Sequence, residues 1–330
     1  MNLTHLRHLM GPHGLFEHAL YRQPRVEHGY CTDDNARALV ITAGVEGPDA
    51  EYVFRRCLEF VAAGWTPRGW RNRMSADGEW TDELGSEDCH GRALWGLGVA
   101  ARHGRLPAEL LPAFDQGLQR RLIAPRAIAY SLLGAVAALE SADAEEHARR
   151  GIALLTRGLP PVRPGAWMWP EQRLTYDNAR IPQAMMLVGE ATDDLILRTV
   201  GLELLDWLVK VEWRGDHFSF TPTAGRGQGD ESPGFDQQPI EAWAMAEACE
   251  TAAHLTGDSL WVERAQAAVD WFDGRNDVGV ALYDPETGAG HDGLEPDGVN
   301  LNCGAESTLA ALAAQAVGAR LAEWRSAVSS

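Results

Sequence analysis

Apolar residues recur at helical spacing along most of the chain, and strand-like alternation is scarce. Only residues 217–221 and 278–283 read as short strands. The first helix opens at Asp34, runs through Ala38, Leu39 and Ile41, and is stopped by Gly44 and Gly47-Pro48. A second, over 51–63, leads back. The pattern then repeats as 90–102 with 107–122, 126–140 with 144–157, 178–189 with 193–211, and 239–255 with 259–272. A sixth helix begins near Ala305, with either 319–327 or the N-terminal segment 3–10 as its partner.

The first helices of these pairs start near 34, 90, 127, 178, 239 and 305, an irregular period of about 50–55 residues that signals one repeated supersecondary unit. They are richer in Ala, Leu and Trp, as befits helices touched on both sides. The second helices carry more charge, for example Glu51, Arg55, Arg56 and Glu59, which suits an outer layer. Six αα-hairpins of this kind predict an all-α chain folded as an (α/α)6 toroid, a single domain over residues 1–330; an α-solenoid is the rival arrangement. In a toroid the inner helices run parallel and their starts share one rim. Long loops feed that rim (64–87, 158–177, 215–238 and 274–304), and loops of such length usually carry function. They hold Trp65, Trp70, Trp80, Trp167 and Trp169, with Trp213 just ahead of the third.

Five polar, mostly acidic segments stand just ahead of these inner helices: 30–37, 86–92, 175–180, 235–241 and 302–307. The tetrapeptide Asp-Asn-Ala-Arg occurs twice, at Asp34 and at Asp177. Capping of free backbone N–H groups explains one carboxylate at a helix start. It does not explain two, or the Asn and Arg that follow. Copies on the first and fourth hairpins of a six-membered ring face each other. Inverting sugar hydrolysis requires two carboxyl groups about 6.5–9.5 Å apart with a water between them. Asp34 and Asp177 are therefore the expected catalytic pair, with Asp88 and Glu306 as substitutes for either role. The base belongs at a helix start, where the dipole favours the charged form, and the acid in a drier setting beneath Trp169 or Trp95.

Asp33 reads as a helix cap or a sugar contact. Asn35, Arg37, Arg92, Asn178, Arg180, Gln237 and Gln238 are expected to bind hydroxyls or to position the acids, although Arg92 also has the spacing of an intrahelical pair with Asp88. Glu87 and His90 are expected at the sugar as well, with proton transfer as a further role. Trp169, flanked by Pro170 and Glu171, suits a pyranose-stacking platform with Glu171 beside it. Asp236 and Glu241 complete the substrate-side set; Asp230, Glu231 and Asp297 are weaker candidates. The run Glu87-Asp88-Cys89-His90 has no second cluster of ligand spacing and HExxH is absent, so no metal is expected.

Composition narrows the partner. With 45% hydrophobic and 23% charged residues the chain can bury a sizeable core. A net charge of −18 repels nucleic acid, anionic lipid and polyanionic sugars, which leaves a small neutral carbohydrate as the expected ligand. Five widely spaced cysteines suggest neither a disulfide framework nor a zinc site, and reduced thiols point to the cytoplasm. No signal peptide and no membrane span are expected.

The stretches Thr-Asp-Asp-Asn-Ala-Arg-Ala-Leu at 32–39, Asp-Gln-Gln-Pro at 236–239 and Gly-Ala-Glu-Ser-Thr-Leu at 304–309 resemble a bacterial domain found alone or fused behind retaining-type glycosyltransferases. That domain is similar to the six-hairpin glycosidase superfamily. The resemblance covers nearly the whole chain and implies a fold shared by inverting hydrolases, phosphorylases, lyases and epimerases. No glycine fingerprint for a nucleotide sugar stands before a helix, so no cofactor is expected. The expected activity is inverting hydrolysis of a neutral oligosaccharide. Phosphorolysis, with Arg37 and Arg180 on the phosphate, and epimerisation, for which only His90 lies in a motif, are alternatives on the same fold. A non-catalytic carbohydrate-binding module is the alternative of another class.

Overall fold

The structure, a computed structural model, describes residues 1–328. Twelve α-helices form among the described residues: α1 (Thr4–His8), α2 (Thr32–Thr42), α3 (Pro48–Gly64), α4 (Glu87–Arg102), α5 (Leu111–Leu118), α6 (Pro125–Ala138), α7 (Glu145–Leu155), α8 (Arg180–Ala191), α9 (Leu195–Glu212), α10 (Pro239–Thr256), α11 (Ser259–Asp270) and α12 (Ala305–Val328). The chain divides into two compact units. The N-terminal unit comprises Leu6–Pro160 with Glu190–Asp193; the C-terminal unit comprises Met1–His5, Pro161–Gly189 and the chain from Asp194 onward.

In the N-terminal unit α2, α4 and α6 lie side by side and run parallel. Asp33 meets Arg92, and Gly44 meets His103, so α2 and α4 keep the same direction. Gly91 meets Ala127, Gly98 meets Gly134 and Arg102 meets Glu140, so α4 and α6 do too. These helices bury residues all round, as the unbroken buried run Cys89–Gly98 in α4 shows. The returning α3 buries only one stripe, Ala50, Val53, Phe54, Cys57, Phe60, Val61 and Gly64, and leaves Glu51, Arg55 and Glu59 exposed. The same holds in the C-terminal unit. Asp177 meets Glu241 and Arg180 meets Glu247 between α8 and α10; Glu250 meets Arg320 and His254 meets Trp324 between α10 and α12. In each unit three inner helices thus start on one side.

Local chemistry sets where the helices begin. Ser86 caps α4 by accepting from the Cys89 N–H at 3.1 Å, so this helix starts three residues before His90. Pro239 opens α10, and Gly257 ends it in the left-handed region at φ 70°. α2 starts at Thr32 rather than Asp34, after an extended Cys31. α8 starts late, at Arg180, because Asp177 holds φ 49° and the Glu241 carboxylate takes the backbone N–H groups of Asp177 and Asn178. The expected helix over 107–122 shortens to α5, following a single turn at Ala108–Leu110.

Two expectations are corrected. α12 continues unbroken through 319–327, so that segment is not a returning partner; within the C-terminal unit His5 of the N-terminal segment instead reaches the Cys303 carbonyl at 2.9 Å. Residues 217–221 form no strand ladder, only an isolated bridge from Trp213 to Phe218, because Phe218 and Phe220 are drawn into the core. Of 278–283 only Tyr283 pairs, with Gly290. The loops ahead of the inner helices are tied by two-residue ladders, Tyr30–Cys31 with Arg73–Met74 and Arg173–Leu174 with Arg226–Gly227.

The closest approach of α4 and α6 is made by glycine. A Cβ on Gly98 would strike the Gly134 carbonyl, and one on Gly134 would strike the Leu94 carbonyl. Backbone cannot yield as a side-chain tip can. Gly98→Ala and Gly134→Ala are each expected to destabilise the protein by about 1–3 kcal/mol, the usual cost of overpacking, read as a lowered urea midpoint at unchanged slope.

Candidate functional site

At the starts of α2, α4 and α6 a polar cluster forms around one guanidinium. Arg92 donates to Asp33 at 2.8 Å, reaches Asp88 at 3.7 Å and donates to the Tyr130 hydroxyl at 3.1 Å, with its charge 4.7 Å from the centre of that ring. The second Asp33 oxygen accepts from the Asn72 amide at 2.8 Å. Trp95 stacks parallel to Tyr130 at 6.0 Å. Asp33 and Asp88 keep 16% and 12% of their side chains open to solvent, so a ligand can reach them.

Neighbouring Asp33 and Asp34 are driven apart electrically. Burial is the largest influence on Asp33 and raises it, but Arg92 and Arg37, with the Arg92 and Asn72 hydrogen bonds, outweigh it and hold the carboxyl below its ordinary value. For Asp34 burial dominates and raises it; Glu17 and Asp33 add to the rise, while Arg37 and the Cys31 thiol oppose it. Asp34 is 2% exposed, bound to Arg37 at 2.7 Å and to the Cys31 thiol at 3.1 Å. A helix turns about 100° per residue. That single step sets Asp33 toward solvent and Asp34 into the interior.

The other motif residues of this unit hold the scaffold together. Asn35 is fully buried and ties α2 to the preceding loop, donating to Cys31 at 2.8 Å and accepting from the Leu15 N–H at 3.0 Å. Glu87 accepts from the N–H groups of Ile123 and Ala124 at 2.8 and 2.7 Å, which anchors the loop entering α6. His90 points away from Arg92: it is 1% exposed, bonds the Gly117 carbonyl at 3.0 Å and meets the edge of Trp70. Burial above all lowers its pKa to about 4, and the Arg120 charge adds to the fall.

In the C-terminal unit the second Asp-Asn-Ala-Arg copy repeats the first in part. Arg180 reaches back to Asp177 at 3.3 Å, as Arg37 does to Asp34. Asn178 again serves the preceding loop, accepting from the Thr175 N–H at 3.1 Å. Here a third carboxylate intervenes. Glu241, expected at the substrate, is 3% exposed and accepts from Asp177, from the Asn178 N–H at 3.2 Å and from the Asn178 amide at 3.0 Å. Burial, then Glu212 and Asp177, push it well above the ordinary carboxylate range. Asp177 is 1% and Arg180 0% exposed; Arg180 also binds Gln183 and Glu247 and lies over Trp243.

Gln237 is likewise buried, clamping Phe220, Gly234 and Asp277. Gln238 is half-buried at the cap of α10. Trp169, expected as an open platform, is 3% exposed, parallel to Trp207 at 6.4 Å and bonded to Glu171 at 3.2 Å. Its face is covered by protein. Asp236 stays exposed, with its carboxyl raised by partial burial and by Asp292. Glu306 is half-exposed in the first turn of α12.

Sequence reasoning missed Tyr130, Asn72 and Glu212. Tyr130 lies on the one inner helix in the N-terminal unit without an acidic lead. Asn72 sits mid-loop. Glu212 ends an outer helix, where charge reads as solvent-facing, yet it is 1% exposed and accepts from the Thr221 N–H and hydroxyl at 2.9 and 2.6 Å. One donor set of metal type exists among the described residues: Glu17, Cys31 and Asp34 bring ligand atoms within 4.8 Å of one another. Arg73 and Arg37 already hold the two carboxylates, and burial keeps the thiol protonated, so the donors fit a charge-balanced core better than a cation.

No protein-family model matches the sequence, and no curated protein matches it. Solved structures do. The chain is similar to a cellobiose 2-epimerase from Bacillus thermoamylovorans (TM-score 0.74, 10% identity, 96% of each chain covered). It is similar to a sugar epimerase from a ruminal bacterium (0.71, 11%, 95% of this chain and 94% of that one). It is also similar to a GH76 α-mannanase from Bacteroides thetaiotaomicron (0.61, 10%, 99% and 95%). The fold class is the all-α (α/α)6 toroid, and the chain has the fold of the six-hairpin glycosidase superfamily. No helix among the described residues is long and apolar enough to cross a membrane.

His90 gives the site a measurable pH signature. Its folded pKa of about 4 lies below the ordinary 6.5, so the unfolded chain binds the proton first. The stability this contributes is present above pH 6.5 and is lost as pH falls toward 4, about 3 kcal/mol in all. The stability difference between wild type and His90→Gln is expected to shrink by that amount between pH 7 and pH 4, as followed by urea denaturation.

Proposed function

We propose that the protein is a carbohydrate-processing enzyme that hydrolyses a glycosidic bond in a neutral oligosaccharide, with Asp33 as the carboxylate that activates water. The carrying observation is the pair of partly open carboxylates, Asp33 and Asp88, on one guanidinium, with Asp33 held ionised. A general base must be charged, reachable and fixed in place; Asp33 meets all three conditions. Asp88 is the partner carboxyl that gives its proton to the leaving oxygen, and Tyr130 and Arg92 orient the pair. Water activated directly by a carboxylate gives inversion at the sugar carbon. Asp34 and Asp177 are set aside as the reacting pair because each is sealed and bound by the arginine three residues on.

Two further observations support the reading. The fold is shared with an α-mannanase, and a chain of net charge −18 disfavours polyanionic sugars. The two epimerases, matched over nearly the full chain, favour epimerisation as the second reading. Proton abstraction at a sugar carbon calls for a base that titrates near neutrality. His90 does not supply it, since it stays neutral down to about pH 4 and is tied to Gly117.

A screen of neutral oligosaccharides with product analysis by mass spectrometry and proton NMR tests this. Cleavage with the inverted anomer formed first is expected, independent of phosphate. Asp33→Asn and Asp88→Asn should each lower kcat/KM by about 10²–10⁴ without loss of the folded state by circular dichroism. Full activity in both variants would remove the assignment. Turnover that changes sugar configuration without cleavage would establish the epimerase instead.

A further inference from the structure

α4 has a second working face. Two residues along a helix is a rotation of about 200°, so His90 lies opposite both Asp88 and Arg92. Its Nε2 faces the Gly117 carbonyl at 3.0 Å and must donate there. Nδ1 is therefore the bare acceptor nitrogen of a neutral ring, buried and with no hydrogen-bond partner. Next to it stands Gly69 at φ 127°. A Cβ on Gly69 would come within 3.2 Å of Nδ1 and strike the Arg120 guanidinium, so glycine makes room for Arg120 beside the imidazole.

Outside that corner lies a cavity of about 320 Å³, lined by Trp65, Arg68, Gly69, His90, Gln116 and Arg120 among others. The volume suits a ligand of monosaccharide size. None of the lining residues is acidic, and two are arginines, in a chain whose net charge is −18. Arg120 donates to the Arg68 carbonyl, and Arg68 makes only an exposed 3.4 Å pair with Glu83, which an anion can replace at little cost. Trp65, packed on Trp70 at 4.4 Å, supplies a fixed aromatic wall.

Each element asks for a different part of one ligand. The guanidiniums ask for an anion, and the indole asks for an apolar face. We propose that this cavity binds a phosphorylated monosaccharide, with the phosphate on Arg68 and Arg120 and the sugar ring against Trp65. It is a site separate from Asp33 and does not depend on the reaction catalysed there.

Calorimetric titration of the full chain with glucose 6-phosphate, mannose 6-phosphate, glucose and inorganic phosphate tests the assignment. At least one sugar phosphate should bind with a Kd ten-fold or more below those of glucose and of inorganic phosphate. Arg120→Gln and, as the exposed and structurally safer change, Arg68→Gln should each weaken it ten-fold or more, while Asp33→Asn leaves it unchanged. Absence of saturable binding by either sugar phosphate overturns the proposal, as does equal affinity for inorganic phosphate. Unchanged binding in both arginine variants, or loss of binding in Asp33→Asn, overturns it too.

Discussion

Charge carried into the interior has to be matched there, and the starts of the inner helices are built around that requirement. A buried ion loses several kcal/mol of hydration, and removing one partner of a buried pair is more damaging than replacing both. Arg92 meets Asp33, and Arg180 meets Asp177 and Glu247. Most of these contacts cross from one helix to the next. They can form only when neighbouring helices run parallel at one register, so pairing the charges also fixes where each helix start stands. The glycine contacts of α4 with α6 then set how closely the helices approach.

Within that frame the two Asp-Asn-Ala-Arg segments show how one sequence serves two backbones. Both place aspartate and arginine three apart in a buried pair and use the asparagine to hold the preceding loop. The first lies inside α2; the second precedes α8, with Asp177 in the left-handed region. The difference traces to Glu241. Its carboxylate satisfies the backbone N–H groups of Asp177 and Asn178, which stand just before α8. A repeated motif here marks a repeated structural task.

The hairpin order was legible from the chain because it rests on apolar periodicity and on stop signals such as Gly44, Gly47-Pro48 and Gly257, which act locally. All six inner helices begin within three residues of the positions expected from spacing, and α10 and α12 begin at the expected residues. The site was legible only as a neighbourhood. Composition places Asp33 and Asp34 in the same helix turn but does not say which one a 100° rotation exposes. Tyr130 and Asn72 reach Arg92 and Asp33 through tertiary packing, and nothing local distinguishes them from other residues of their helix and loop. Trp169 failed as a platform because it packs parallel to Trp207 and is almost fully buried.

The same geometry separates two chemistries on α4. Asp88 and Arg92 share one face with Asp33, where the guanidinium stabilises the ionised form of Asp33. His90 occupies the other, where burial keeps an imidazole neutral and Arg120 opposes its protonation. Neither group would suit the opposite face. A neutral histidine beside Arg92 could not replace the negative charge that Asp33 supplies, and a carboxylate at position 90 would lie buried against Trp70 and the Gly117 carbonyl, which accepts and cannot donate. The alternation of acid, thiol and imidazole along Asp88-Cys89-His90 thus follows from the helix's rotation between two environments. It also explains why a run that looks like a metal cluster in sequence does not gather in space.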